Sequence, residues 1–352
     1  MNEIIHVNTF ESGYDIHLKR GLINKAGELI SSITRSKKIA IITDTNVAPL
    51  YGLTLKRCLE DAGFSAPIYA FTAGEKSKNH ATLLNIYSFL ADADITRSDV
   101  IVALGGGVVG DVAGFAAATF ARGVDFVQIP TTLLAQVDSS IGGKTAVDLK
   151  EGKNLVGAFW QPRLVMCDPN TLSTLDATNF SCGMAEVIKH ACIRSSALFD
   201  TLLSCDETDS IIEAIITANL NIKREVVEHD EQEKGERMLL NFGHTLGHAI
   251  EKLSDFKTFT HGQAVAMGMS LITQASEKNK LTAQGTSEKI LLLRNKFGLT
   301  AECSFPLNEI LAAASNDKKR AGSNINLVLL KNIGESFIHT LPIERLPNFF
   351  GI

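Results

Sequence analysis

Residues 100–111, VIVALGGGVVGD, decide the fold. The five apolar residues predict a buried strand, the glycines predict a tight turn, and the residues that follow predict the start of a helix. Gly105, Gly107 and Gly110 satisfy G-x-G-x-x-G, a pattern that lets backbone amides approach a pyrophosphate at a helix N-terminus. The acidic ribose partner of an ordinary Rossmann unit follows about 20 residues later. Here the plausible partner, Asp44, comes earlier, and a tight turn with close helix–sheet packing would explain the same glycines.

Further strands are predicted on both sides of this stretch. Apolar runs that stop at polar residues or proline indicate strands at 38–43, 67–71, 126–129 and 164–167, and two short strands within 3–17 around a turn at Ser12-Gly13. Helical patterns such as residues 81–91 lie between them. Strands that alternate with helices indicate a mostly parallel sheet covered on both faces. We therefore predict an α/β domain over residues 1–172 with a Rossmann-like dinucleotide site.

The second half of the chain has a different pattern. No proline occurs between Pro169 and Pro306, and residues 211–216 and 265–275 have a helical period. We predict an all-α domain over residues 173–352, with a boundary near residues 168–178. Ligands often bind in a cleft between two such domains.

Composition and charge exclude several classes of protein. The chain has 352 residues, a net charge of −5 and 45% hydrophobic residues, which argues against a nucleic-acid partner and provides for a large core. The six scattered cysteines are typical of reduced thiols. The N-terminus lacks the pattern of a signal peptide, and the apolar residues 100–121 include Asp111 and five glycines, which favours a buried strand and helix over a membrane span. We expect a soluble, cytoplasmic protein with no membrane partner.

Polar loops follow several of the predicted strands. Residues 74–78 read GEKSK, Thr131 and Thr132 follow a strand, and residues 139–145 read SSIGGKT. Because the carboxyl ends of parallel strands meet at one edge of a sheet, these loops favour a nucleotide site there. Each loop taken singly is also compatible with a capped helix start or a turn.

Histidines and a glutamate in the second half indicate a metal site. Residues 241–248, NFGHTLGH, place two histidines one helical turn apart on one face, and residues 183–190, GMAEVIKH, place Glu186 on an earlier helix. One Glu with two His is a catalytic zinc set that leaves a position open for substrate or water. Spacing alone cannot choose the ligands among His190, His244, His248 and His261. Taken naively, it favours the pair His244 and His248.

Basic residues are spread over both halves. If they converge, they form a clamp for carboxylate and phosphate groups; otherwise they belong to solvated, mixed-charge helix faces. The set is Arg122, Lys144, Lys189, Lys223 and Arg237.

Taken together, these stretches resemble the 3-dehydroquinate synthase family of sugar phosphate cyclases over essentially the whole chain, from Asp44 to Lys319. The residues that carry the resemblance are Gly74-Glu-x-x-Lys78, 104–120 (LGGGVVGDVAGFAAATF), Arg122-Gly123, 130–145 (PTTLLAQVDSSIGGKT), Lys153-Asn154, 183–189 and 240–248 (LNFGHTLGH).

The resemblance implies an NAD-binding α/β domain and a helical domain that holds Zn²⁺, or alternatively Co²⁺. It implies that Glu186, His244 and His261 are the metal ligands, and it assigns His248 to the substrate. The implied NAD contacts are Asp44, Asn46, Glu75, Lys78, Gly106, Gly107, Val108, Val109, Gly110, Asp111, Thr131, Thr132, Lys144, Lys153, Thr171, Leu172, Ser173 and Thr174.

The resemblance also implies a substrate and a reaction. 3-Deoxy-D-arabino-heptulosonate 7-phosphate would become 3-dehydroquinate and phosphate by transient oxidation with NAD, phosphate elimination, reduction, ring opening and aldol closure. We further expect a homodimer. The implied substrate contacts are Arg122, Asp138, Lys144, Asn154, Lys189, Lys223, Arg237, Asn241, His248 and one of Lys318 or Lys319.

Three other functions are compatible with parts of this pattern. A polyol dehydrogenase that uses a metal ion and NAD would also have a glycine-rich turn, but it would accumulate NADH. A related sugar phosphate cyclase would form a different ring, and Lys223, Arg237, Asn241 and His248 favour a substrate with a carboxylate over that alternative. A non-catalytic NAD- or zinc-binding protein would not need this full set of residues.

Overall fold

A computed structural model describes residues 3–10, 13–318 and 323–352 of the chain. The strands are β1 (Glu3–Val7), β2 (Tyr14–Leu18), β3 (Ile39–Asp44), β4 (Ile68–Phe71), β5 (Val100–Gly105), β6 (Asp125–Pro130), β7 (Lys144–Leu149), β8 (Gly152–Phe159), β9 (Leu164–Cys167), β10 (Asn324–Asn332) and β11 (Glu335–Pro342). The helices are α1 (Ala26–Ile33), α2 (Leu53–Asp61), α3 (His80–Asp92), α4 (Gly107–Thr119), α5 (Ala177–Arg194), α6 (Ser196–Ser204), α7 (Ile212–His229), α8 (His244–Leu253), α9 (His261–Lys278), α10 (Thr286–Lys296), α11 (Leu307–Lys318) and α12 (Leu346–Phe350). The chain forms two compact units, residues 1–175 with 212–231, and residues 176–211 with 232–352.

The first unit is built on a seven-stranded, mostly parallel sheet, as predicted. Its strand order is β1-β2-β9-β6-β5-β3-β4, and only the β1–β2 pair is antiparallel. The strands predicted from apolar runs are confirmed, and β9 has the bounds that the sequence indicated. Ser12, in the predicted turn between β1 and β2, lies outside the described residues.

Both faces of this sheet are covered, because every residue of β5 and the first five of β3 are buried. One face packs its apolar side chains against α1 and α2, with Ile30, Leu55 and Leu59 among the buried residues. The other face packs against α3 and α4. Burial on both sides explains why these strands have continuous apolar runs without alternation.

A hairpin of β7 and β8 follows the predicted polar loop 139–145, and the sequence analysis did not predict it. Lys144, at the end of the predicted loop 139–145, is the first residue of β7. The hairpin packs closely on α4: a Cβ at Gly114 would lie 2.5 Å from the Thr145 side chain. The strand pattern was not recognised because β8 contains two glycines and leaves Leu155 and Phe159 exposed.

Helix α7 belongs to the first unit although it lies in the second half of the chain. It packs against β1 and the segment Ala135–Ser139. The Lys223 ammonium donates hydrogen bonds to the backbone oxygen and the carboxylate of Asp138, and Glu228 accepts two hydrogen bonds of 2.8 Å from Asn8. These long-range contacts associate α7 with the first unit. The predicted domain boundary at residue 172 stays a prediction.

The second unit is helical, as predicted, with one addition that the all-α prediction did not include. β10 and β11 form an antiparallel hairpin whose register places Ile325 opposite Leu341. Ile325, Leu327 and residues 328–330 are buried. The hairpin therefore contributes a strand with a buried face to an otherwise helical core.

Helices α8 and α9 approach each other very closely, because glycines line the contact. A Cβ on Gly268 would lie 2.1 Å from the backbone oxygen of Gly243 and 2.9 Å from the amide nitrogen of Gly247. Gly243 has φ of +79° and also lies against the α9 backbone. This contact brings the first residues of the two helices, His244 and His261, into the same region of the unit.

All six cysteines are free thiols. Among the described residues, none of the helices has both the length and the apolar character that crossing a bilayer requires.

We predict that Gly268→Ala destabilises the second unit. The added methyl group would overlap the Gly243 backbone, which cannot rotate away as a side chain can, so the free energy of unfolding should fall by about 1–3 kcal/mol. Urea unfolding checks this. Gly152→Ala is the matched control, since its Cβ would meet only the exposed side chain of Leu155; equal losses for the two variants would contradict the close helix contact.

Candidate active site

The first unit has a topological switch point between β3 and β5. These strands are neighbours, yet the chain leaves β3 toward β4 on one side and leaves β5 toward β6 on the other. In open α/β sheets, ligands bind in the crevice outside the carboxyl ends of the strands at such a point. Asp44 ends β3 and Gly105 ends β5, so two features singled out from the sequence lie at this position.

The glycine turn leads directly into α4 and has no side-chain cap. Gly106 is the N-cap residue, the helix begins at Gly107, and no acidic residue lies in the first turn. The space in front of the turn is narrow: a Cβ on Gly106 would lie 3.0 Å from Thr132, and one on Gly107 would lie 3.1 Å from the Ser139 hydroxyl. An uncapped helix N-terminus with glycine backbone fits a pyrophosphate group. Val108, Val109 and Gly110 continue the first turn, and Val109 and Gly110 are buried.

Lys78 is a buried lysine that contacts two polar side chains beside this turn. Its Nζ lies 2.5 Å from an oxygen of Asp111 and 2.5 Å from Oδ1 of Asn154. Burial disfavours the charged ammonium, but the carboxylates of Asp111, Glu75 and Asp148 together outweigh burial and raise the pKa of Lys78. Lys153 and Glu75 form a more exposed ion pair at 3.6 Å. Residues assigned to NAD and a residue assigned to the substrate, Asn154, are thus brought together.

The remaining predicted NAD contacts lie at other strand ends. Asp44 accepts hydrogen bonds of 2.9 Å from the amides of Asn46 and Val47, which fixes the turn after β3. The segment Pro169–Thr174 follows β9, and Tyr51 donates to the backbone oxygen of Thr171 at 3.2 Å. Thr131 is buried, Thr132, Leu172 and Lys153 are half-buried, and Asn46, Glu75, Ser173 and Thr174 are exposed.

Four predicted substrate residues of the first unit lie in two kinds of setting. Lys223 and Asp138 form a buried ion pair between α7 and the segment Ala135–Ser139. Arg122 and Lys144 are exposed. Arg122 follows Ala121, and both have positive φ, of +65° and +49°, a conformation that non-glycine residues adopt rarely.

The second unit brings together a carboxylate and two imidazoles. Glu186 lies on α5, and His244 and His261 are the first residues of α8 and α9. The Nε2 atoms of His244 and His261 lie 3.6 Å and 3.3 Å from the same oxygen, Oε1 of Glu186. Glu186 is 1% exposed, and its other oxygen pairs with the ammonium of Lys189.

These separations fit a tetrahedral metal site. Ligand atoms about 2.1 Å from a zinc ion at tetrahedral angles lie about 3.4 Å apart. Both distances to Glu186 Oε1 are close to that value, and one ligand atom from each of Glu186, His244 and His261 lies within 4.8 Å of the others. The donor set of one carboxylate and two imidazoles leaves the fourth position for a ligand. The residues present therefore fit a divalent ion.

The opposite nitrogens of the two imidazoles have different partners. Nδ1 of His244 lies 3.2 Å from the backbone oxygen of Phe242, and Nδ1 of His261 lies 3.3 Å from Oε2 of Glu251. Because both partners are acceptors, each Nδ1 carries a proton, which leaves Nε2 as the ligand atom.

The two imidazoles differ in their affinity for a proton. Burial lowers the pKa of His244 to about 3, since the neighbouring Glu186 compensates only partly. Burial also disfavours protonation of His261, but its hydrogen bonds to Glu186 and Glu251 outweigh burial and raise its pKa to about 10. A metal ion would have to displace a proton from His261 and none from His244.

Other predicted residues of the second unit lie in different settings. Lys189, His190 and Arg237 are buried, Asn241 donates a hydrogen bond of 3.0 Å to Glu233, and His248 is exposed. The ring centroids of His248 and His261 are 6.2 Å apart. Lys318 ends α11, and Lys319 lies outside the described residues.

The sequence reasoning missed two carboxylates, Glu251 and Glu233. Glu251 contacts His261, and Glu233 contacts Asn241. A signal for Glu251 was available, because His244, His248 and Glu251 have the spacing i, i+4 and i+7 of one helix face. A second group of possible metal ligands consists of His248, Glu251 and His261, so His261 is shared between two groups.

Comparisons with known proteins agree with this architecture. Residues 68–182 match the family model for the N-terminal part of 3-dehydroquinate synthase, and residues 183–320 match that for its C-terminal part. A 3-dehydroquinate synthase of Clostridium perfringens is 49% identical over 97% of this chain and 99% of its own length, and one of Clostridium acetobutylicum is 50% identical over 97% of each. A structure of 2-deoxy-scyllo-inosose synthase with carbaglucose-6-phosphate, NAD⁺ and Co²⁺ superposes with a TM-score of 0.88 at 25% identity, covering 99% of both chains.

The sheet with its switch point and the helical unit with its carboxylate and imidazoles have the fold of the sugar phosphate cyclases. Within that class, the chain belongs to the 3-dehydroquinate synthase family.

We predict that Lys78→Met destabilises the first unit through its partner. Removing the ammonium leaves the Asp111 carboxylate largely buried without its counter-ion, and breaking such a pair costs about 2–4 kcal/mol after allowance for its partial exposure. The double variant Lys78→Met/Asp111→Asn should lose less unfolding free energy than Lys78→Met alone. Urea unfolding of the NAD-free protein measures both.

Lys153→Met is the control for that comparison. Its pair with Glu75 is longer and more exposed, so its loss should cost less than about 1 kcal/mol. A double variant less stable than Lys78→Met would show that the pair is not coupled in this way.

We also predict that metal binding releases about one proton per ion near neutral pH, because the raised pKa of His261 keeps it protonated until the ion takes its place. Calorimetric titration of the metal-free protein with Co²⁺ in buffers of different ionisation enthalpy measures this number. Binding with no released proton would contradict the charge state assigned to His261.

Proposed function

We propose that the protein is a carbon–oxygen lyase that converts 3-deoxy-D-arabino-heptulosonate 7-phosphate to 3-dehydroquinate and phosphate, a step of the shikimate pathway toward aromatic amino acids. The observation that carries the proposal is the group of Glu186, His244 and His261, whose donors and spacing suit a catalytic divalent ion. Membership of the family and 49% identity over nearly the full chain support the substrate. A cytoplasmic location and a homodimer are part of the proposal.

NAD is the proposed cofactor of the first unit. The backbone of Gly106 and Gly107 would hold its pyrophosphate, and Asp44 at the end of the adjacent strand would contact a ribose. The Lys78–Asp111 ion pair would hold the start of α4 in place beside the glycine turn, so that little of the backbone there would have to move when NAD binds. Bound NAD would accept a hydride and later return it, so that it ends the reaction unchanged.

Zn²⁺ or Co²⁺ is the proposed metal of the second unit, held by Glu186, His244 and His261. Bound there, the ion would act as a Lewis acid that lowers the pKa of a substrate hydroxyl and polarises a carbonyl. Lys189 pairs with Glu186 and is itself buried, so it would position the carboxylate and place its ammonium group beside the substrate. His248 is exposed, and its imidazole is the proposed partner of a substrate hydroxyl.

The cations of the site would bind the two anionic groups of the substrate. Lys144, Lys223 and Arg122 of the first unit and Lys189 and Arg237 of the second are the proposed ligands for phosphate and carboxylate. Lys223 is held by Asp138, so this member of the set is fixed before the substrate arrives. Holding one conformation of the substrate would allow the successive steps to occur without release. Asp138, Asn154 and Asn241 are the proposed hydrogen-bonding partners of its hydroxyl groups.

The decisive experiment is phosphate release from 3-deoxy-D-arabino-heptulosonate 7-phosphate with NAD at a concentration well below that of the substrate. We expect many turnovers per NAD, loss of activity with a chelator, and recovery on addition of Zn²⁺ or Co²⁺. Full activity in metal-free protein would refute the metal site.

The same assay distinguishes the alternative functions. A polyol dehydrogenase would form NADH in proportion to product, which absorbance at 340 nm detects, and it would release no phosphate. A cyclase for another sugar phosphate would be inactive on this substrate but would turn over a substrate without the carboxylate. We expect phosphate release without net NADH.

A further inference from the structure

Glu251 is a buried carboxylate beside a predicted metal ligand, and neither the sequence pattern nor the proposed mechanism assigns it a role. It lies on α8, it is 3% exposed, and its Oε2 is 3.3 Å from Nδ1 of His261. Nε2 of His261 faces Glu186 at 3.3 Å. The imidazole of His261 therefore lies between two carboxylates, one on each ring nitrogen.

A metal ion bound at Glu186 would give the two carboxylates different roles. An ion bound by Glu186, His244 and His261 takes the Nε2 lone pair of His261, so the proton of that ring remains on Nδ1, where only an acceptor can stabilise it. Glu251 is that acceptor. His244 has the backbone oxygen of Phe242 in the corresponding place, which is a neutral acceptor.

We propose that Glu251 is a positioning residue for the metal centre: it holds the Nδ1 proton of His261, fixes the ring orientation and makes Nε2 a stronger ligand. This inference rests on the proposed metal site of Glu186, His244 and His261. A charged partner on a ligating histidine raises the basicity of the ring more than a backbone oxygen does, and loss of such partners weakens metal affinity 10–100-fold.

The position of Glu251 between two helices favours this contact. His261 begins α9 and Glu251 lies in the last turn of α8, so the hydrogen bond joins the two helices that approach at Gly268 and Gly243. Because the Glu251 side chain is only 4% exposed, water competes little for its carboxylate, while the His261 side chain is 32% exposed.

A different arrangement of the same residues has to be distinguished. His248, Glu251 and His261 are also close enough to hold an ion of their own, through Nδ1 of His261. Glu251 would then be a ligand rather than a positioning residue. That arrangement removes the Nδ1 proton on which our proposal depends, and it predicts a second ion per chain.

The test compares metal binding by the full-length, metal-free chain and two variants, Glu251→Gln and Glu277→Gln. Glu277 is the matched control: it is a buried glutamate of the same unit that accepts hydrogen bonds of 2.9 Å and 2.7 Å from Ser287. It lies 16 residues along α9 from His261, about 24 Å at the rise of an α-helix. Titration with Co²⁺ against a chromophoric chelator gives affinity and stoichiometry, and the visible absorption of bound Co²⁺ reports its ligand geometry.

We expect one Co²⁺ per chain in the parent protein, 10–100-fold weaker binding with an altered spectrum in Glu251→Gln, and an affinity within about twofold of the parent in Glu277→Gln. The melting temperature of the metal-free protein should change no more in Glu251→Gln than in the control. NAD affinity should be unchanged in both variants.

Three results would overturn the inference alone: parent-like binding and spectrum in Glu251→Gln, equal weakening in both variants, or two ions in the parent and one in Glu251→Gln. The first denies a role, the second indicates general destabilisation, and the third makes Glu251 a ligand. If the parent chain binds no Co²⁺, the proposed metal site fails together with this inference.

Discussion

The burial of one charge, the carboxylate of Glu186, is the constraint on which the helical unit depends. A carboxylate that is 1% exposed is stable only with partners that compensate its desolvation. The protein supplies them from three helices: Lys189 from the same turn of α5, His244 from the start of α8 and His261 from the start of α9. The packing of these helices is therefore also the geometry of the site.

That packing is possible because small residues line it. Gly243, Gly247 and Gly268 bring the backbones of α8 and α9 into contact, and a Cβ on Gly262 would lie 2.5 Å from the α5 backbone at Cys182. Close contacts of this kind leave few alternative arrangements, since backbone atoms cannot move as a side chain can. The ligand atoms are consequently held by the core of the unit and not by mobile loops, which is the arrangement that a metal site of fixed geometry needs.

The α/β unit has a different arrangement, in which backbone groups are placed to bind a dinucleotide. Because β3 and β5 are adjacent and their chains leave in opposite directions, the sheet itself opens a crevice at their carboxyl ends. The uncapped start of α4 then presents glycine backbone at that crevice, and the buried pair of Lys78 and Asp111 fixes one side of it. Much of the anion-binding character thus comes from topology, with side chains supplying specificity.

Local pattern determined a large part of this protein: the parallel strands, the glycine turn after β5, the helical second half and the candidate ligands each have a signature within about ten residues of sequence, and the family resemblance chose among the histidines. Sequence patterns did not predict the β7–β8 hairpin, because its glycines and exposed face hide the alternation of a strand, and they did not predict the β10–β11 hairpin. They also did not show that α7 packs with the first unit, where Lys223 pairs with Asp138. Spacing alone favoured His244 with His248, because it measures only neighbours along one helix. The resemblance implied that His261 is a ligand, but only the tertiary structure shows how: His261, thirteen residues beyond His248, begins α9, faces Glu186 of α5 and has Glu251 at its other ring nitrogen. Spacing could not show this, since the close approach of α5, α8 and α9 depends on contacts between residues far apart in the chain.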